Sequence, residues 1–152
     1  MADVKRSEII VTGETKNVAL IFAKVEKLME GSPVSREWLN DVLICVDEAF
    51  SNIIRHGYVN CPEGEVRVTM TLERDYFRIL FRDDAAAYTP PQEKPALGRA
   101  ILERKTPGLG WYIMQSLMDK VVYKRIGASN CLALTKNIRS EDHHETDNKR
   151  TG

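Results

Sequence analysis

The feature that most narrows the folds open to this chain is a pair of alternating runs joined by a short turn. Val66, Val68, Met70 and Leu72 alternate with Glu65, Arg67, Thr69 and Thr71; Arg74-Asp75 then reverses the chain into Phe77, Ile79 and Phe81, which alternate with Arg78 and Arg82. Successive strand side chains point to opposite faces, so the pattern predicts two adjacent antiparallel strands, each with one buried face. A half-buried sheet needs a second layer, and the rest of the chain must supply it.

Helical stripes do so. From Thr15 to Glu30, Val18, Ile21, Phe22, Val25, Leu28 and Met29 recur at three- and four-residue steps, and Gly31 ends the run. From Ser35 to His56, Trp38, Val42, Cys45, Val46, Ala49, Phe50 and Ile53 line one side of a longer helix, with Ser35 as N-cap and Gly57 as stop. A third helix is expected from Gly108 through Asp119. Three more strands complete the reading: residues 5 to 13 at a sheet edge, and Lys120 to Ile126 with Cys131 to Ile138, joined by Gly127-Ala128-Ser129-Asn130. The expected fold class is α+β, a two-layer sandwich whose mostly antiparallel sheet is covered on one face by about three helices. Its other face could meet a partner.

Composition removes several functions. The 152 residues suit one domain, 1–138, followed by a charged tail, 139–152, that lacks apolar anchors and is expected to be disordered. His143-His144 in that tail reads as a solvated pair and not as a metal site. Lysine plus arginine and aspartate plus glutamate each number 22, so no overall field attracts nucleic acid or an anionic membrane. Cys45, Cys61 and Cys131 match no zinc or redox spacing and read as reduced thiols. Without a signal-length or membrane-length apolar run, the expectation is a soluble, cytoplasmic protein.

The chemistry concentrates in three places. Glu48 and Asn52 lie four apart on the long helix, about 40° apart around its axis and roughly 6 Å along it, so both can enter one cleft; His56 continues their polar stripe. The amide oxygen is a hard ligand suited to magnesium, and the carboxylate can accept a hydroxyl proton. Asp83 ends a buried strand, where it could accept a hydrogen bond from an adenine amino group. Gly108 and Gly110 open a helix and let backbone amides approach phosphate oxygens. The intervening stretch from Asp84 to Gly110, with Pro90, Pro91, Pro95 and Pro107, has no periodicity and reads as a lid. Each element alone reads as an ordinary helix surface, turn or helix start; in this order they stop being independent coincidences.

Three segments, VDEAFSNIIRHGY (46–58), FRDDAAAYTPP (81–91) and GLGWYIMQSLMDKVVYKR (108–125), resemble the N box and the two glycine boxes of the anti-sigma-factor serine kinases in the GHKL ATPase superfamily. The similarity runs from about residue 8 to 138. The resemblance implies the Bergerat ATP-binding sandwich with an ATP lid. It also implies transfer of the γ-phosphoryl group of ATP to a serine of a STAS-domain antagonist. The unphosphorylated antagonist would release the sigma factor, or other regulated protein, that the kinase otherwise holds. By position, Glu48 resembles the general base, Asn52 the magnesium ligand, Asp83 the adenine contact, and Gly108, Leu109, Gly110 and Trp111 the phosphate-binding turn. Thr135 resembles the threonine near the adenine. Members commonly dimerise, and the free edge of the first strand offers a pairing surface for a homodimer.

One departure stands out. Where the family has glycine two residues after the aspartate, this chain reads Asp83-Asp84-Ala85-Ala86-Ala87, placing the Ala85 methyl at the adenine pocket. That motivates the alternative of a Bergerat-fold regulator that captures a partner with weak or no ATP binding. A histidine-kinase catalytic domain is not expected, because the residues before Ser7 leave no room for a phospho-accepting helix.

Overall fold

The structure is a computed structural model and describes residues 4–91 and 108–139. Strand β1 (Lys5–Thr12) leads through a 3-10 turn (Thr15–Asn17) into helix α1 (Val18–Leu28). Helix α2 (Arg36–Ile53) runs into a π turn (Ile54–Tyr58), followed by the hairpin of β2 (Glu65–Leu72) and β3 (Tyr76–Asp83). Helix α3 (Leu109–Leu117), β4 (Lys120–Ile126) and β5 (Ser129–Asn137) complete the described elements. The five strands stand in the order β1-β2-β3-β5-β4, each antiparallel to its neighbours.

The alternation does what the sequence requires of it. Val68, Phe81 and Leu132 face one another across β2, β3 and β5, as do Met70, Ile79 and Leu134 in the next inward row. All six are buried, most of them completely, against the helical layer. Helix α2 lies in the middle of that layer, in contact with both α1 and α3. Trp38 meets Phe77 edge-on at 6.3 Å and donates from Nε1 to the Asn137 carbonyl, tying the first turn of α2 to the end of β5. Ser35 caps α2 as its sequence position predicts, its Oγ accepting from the Trp38 amide at 3.1 Å. The opposite face of the sheet carries Glu8, Arg67, Arg78 and Arg82.

Two details depart from the sequence reading. Helix α2 does not simply stop at Gly57 but widens into the π turn, which delivers Tyr58 into the core. There the Tyr58 hydroxyl donates to the Glu65 carbonyl and accepts from the Asp84 amide, pinning the ends of β2 and β3 together. The β4–β5 connection is also tighter than expected: Ile126 pairs with Ser129, leaving only Gly127-Ala128 as the turn, with Gly127 at φ +59°. Ser129 and Asn130 therefore belong to β5 and are buried. The lid expectation falls mostly on residues 92–107, and the tail, with His143-His144, on 140–152; both stretches lie outside the described residues.

Candidate functional site

Glu48 and Asn52 are only 6% and 8% exposed, so α2 carries two polar groups into the interior of the helical layer. Burying such groups is unfavourable unless they are paired or used. They meet the first turn of α3. A Cβ on Gly110 would come within 2.6 Å of the Glu48 Oε2 and 3.6 Å of the Asn52 side-chain amide, so only a glycine allows this approach. Gly108 caps α3 in the left-handed region, φ +83°, which a residue with a side chain adopts only with strain. Leu109 and Trp111 are buried on either side of Gly110 and fix the helix start. The first intrahelical bond there is donated by the Tyr112 amide to the Gly108 carbonyl, so the preceding amides of the turn have no intrahelical acceptor. That is an anion-binding arrangement beside a carboxylate and an amide oxygen.

The sequence reading passed over Arg55, whose Nη2 donates to the Asn52 Oδ1. One turn beyond Asn52 on the same face, it adds a positive charge to this end of the site. The three-residue spacing was the available signal.

The other end of the site is built around Asp83, 5% exposed at the end of β3. Its Oδ1 accepts from the Asn130 Nδ2 at 2.9 Å and from the Ala85 amide at 3.0 Å. Burial raises the Asp83 pKa above its usual value, and these two donors and Arg125 pull it back only in part. Asn130 also donates to the carbonyls of Ala85 and Ala86 and accepts from the Tyr123 hydroxyl and Arg125. A cavity of about 10 Å³ remains here, lined by Ile53, His56, Gly57, Asp83, Ala85, Ala86, Tyr88 and Asn130. The Tyr88 ring stacks on His56 with centroids 5.0 Å apart and planes 1° from parallel. Burial, and next the Arg55 charge, lower the His56 pKa.

The structure thus groups Glu48, Asn52, Gly108, Leu109, Gly110 and Trp111 at one end and Asp83 with Ala85 at the other, both along α2. Thr135 does not join them. It pairs with Arg78 across β5 and β3, and its hydroxyl accepts from the Arg78 Nε at 3.2 Å on the sheet face turned away from the helices. The strand's pleat is the reason: odd positions of β5 point outward, even ones inward. The β5 residue that reaches Asp83 is Asn130, which the longer expected turn had left outside the strand. Reading Gly127-Ala128 as a two-residue turn would have found it.

The histidine kinase-like ATPase domain family matches residues 11–136. The chain is 26% identical over 147 residues to the serine-protein kinase RsbW of Bacillus subtilis (strain 168), covering 91% of each. It is 28% identical over 102 residues to an anti-sigma F factor of Anoxybacillus flavithermus, covering 66% of this chain and 70% of that one. The crystal structure of the RsbU and RsbW domains of Rv1364c from Mycobacterium tuberculosis superposes with a TM-score of 0.61 at 14% identity, over 89% of this chain and 33% of that one, which shows a shared fold.

Proposed function

The chain belongs to the histidine kinase-like ATPase domain family, and from that premise we propose that it is a protein-serine/threonine kinase of the anti-sigma-factor type. It binds Mg-ATP, phosphorylates a serine of a STAS-domain antagonist, and holds a sigma factor until unphosphorylated antagonist displaces it. The observation that carries this reading is the convergence of Glu48, Asn52 and the Gly110 turn at one point, with Asp83 buried at the other end of the same cleft.

Each group has a defined task. Asp83 accepts from the amino group of the base, which selects adenine over a base offering an acceptor there. The amides of Leu109, Gly110 and Trp111 and the Arg55 guanidinium face the phosphates. Asn52 would hold magnesium through Oδ1, the oxygen that here accepts from Arg55, so the guanidinium would have to give up that bond to the ion; a buried amide oxygen otherwise suits an ion that takes few protein oxygens and completes its shell with phosphate and water. When bound, magnesium neutralises charge on the β and γ phosphates. Glu48 takes the proton of the serine hydroxyl as the new O–P bond forms, and ADP departs with the electron pair of the broken one.

The partner's serine and the nucleotide must meet in the cleft between α2 and α3. Among the described residues no helix is long and apolar enough to cross a membrane, and we place the reaction in the cytoplasm. The free edge of β1 we assign to a second copy of the chain.

Incubation with labelled ATP, magnesium and the STAS-domain antagonist encoded nearest this chain's gene tests the reading. Phosphoserine should form, and Glu48→Ala should slow transfer by about 10²- to 10⁴-fold while nucleotide still binds; Asn52→Ala should weaken binding only when magnesium is present. A second reading, a partner-capturing regulator without transfer, draws support from the 10 Å³ left at the base end. It would be adopted if the antagonist is bound but never phosphorylated.

A further inference from the structure

We propose that Tyr88 sets nucleotide affinity by occupying the base end of the site itself, so that ATP enters only after the Tyr88–His56 stack separates. The inference rests on reading the Asp83 end as the adenine subsite and adds what controls access to it.

The segment after β3 does not lead away from the site but lies across it. Ala85 is held at both ends of its peptide: its amide donates to Asp83, and its carbonyl accepts from Arg125 Nη1 at 2.7 Å and Asn130 Nδ2 at 3.2 Å. The Ala86 carbonyl accepts from the same Asn130 amide at 3.1 Å. Two residues on, the Tyr88 amide donates to the Tyr123 hydroxyl, and its ring sits 5.0 Å from His56 and 4.9 Å from Tyr123. The strap is seated closely on α2: a methyl on Gly57 would run into the methyl of Ala85. The cavity that the described residues leave here, about 10 Å³, has room for one water and not for a purine.

A parallel aromatic face beside a buried carboxylate is an environment that suits an adenine, and Tyr88, stacked on His56 and tilted 54° against Tyr123, already fills it. A protein whose competent form is only a fraction of the total binds ligand more weakly by that fraction. Tyr88 thereby acts as an internal competitor whose strength is that of its ring stack.

Calorimetric titration of Mg-ATP into the wild-type protein, Tyr88→Ala, Tyr88→Phe and His56→Ala, with NMR observation of the His56 ring, tests this. Tyr88→Ala should bind about 2- to 10-fold tighter, the range a stacked aromatic pair supplies. His56→Ala should move in the same direction, Tyr88→Phe should match wild type, and nucleotide should shift the His56 ring resonances in wild type as the parallel ring leaves. Unchanged or weaker binding by Tyr88→Ala, with wild type still binding, overturns the inference alone and makes Tyr88 a neutral wall or a platform for the base. Failure of every form to bind removes the nucleotide-site reading as well.

Discussion

A carboxylate at position 83 sits where burial works against its charge, and the sign of that effect can be followed through pH. Its folded pKa lies above the ordinary 3.8, so the folded state holds a proton that the unfolded chain has begun to lose. The stabilising contribution is complete below about pH 3.8 and disappears as pH rises through the folded value; at neutral pH the ionised group opposes folding. Asparagine at this position keeps an oxygen for the Asn130 and Ala85 donors and removes the charge. Asp83→Asn should therefore melt higher than wild type at pH 7 and converge with it near pH 3, while losing affinity for Mg-ATP. Thermal melts across that range check the claim, and a lower melting temperature at pH 7 would mean that the paired charge is favourable overall.

At the level of elements, the difference between Asn130 and Thr135 is one of strand parity. Both lie on β5, but a strand presents alternate residues to opposite faces, so five residues' separation puts them on different sides of the sheet. The expected consequence is that Thr135→Val leaves Mg-ATP affinity within about twofold of wild type, and a titration showing a larger loss would contradict the register of β3 against β5. The sequence made much of the rest readable. Alternation over Val66–Leu72 set the β2 register, stripes set the faces of α1 and α2, and Ser35 announced its helix. Glu48, Asn52, Asp83 and the Gly108–Gly110 turn could be found because each combines a residue type with a local spacing. What escaped depends on partners remote in the chain. The π turn exists because the Tyr58 hydroxyl finds Glu65 and Asp84, and the position of Asn130 depends on a turn two residues shorter than its Gly-Ala-Ser-Asn composition suggested.

For the whole molecule, the site and the core share the same elements. Glu48 and Asn52 belong to the helix that carries Val42, Val46 and Phe50 into the core; Asp83 ends the strand of Phe77, Ile79 and Phe81; Asn130 begins the strand of Leu132 and Leu134. A nucleotide held in the proposed site would lose contacts when any one of these elements opened, so its binding energy opposes the opening of each of them. Binding should then stabilise the fold as one unit, by about 2.7 kcal/mol at a free ligand concentration 100 times Kd. For a domain of this size that corresponds to a rise in Tm of roughly 5–10 °C. In calorimetric scans at a fixed Mg-ATP concentration, wild type should show a single transition displaced upward, Tyr88→Ala a larger displacement, and Asp83→Asn little or none. Two resolved transitions, with only one responding to nucleotide, would show instead that the helical layer around α2 and α3 melts apart from the sheet. The cleft would then be a hinged surface rather than part of the core.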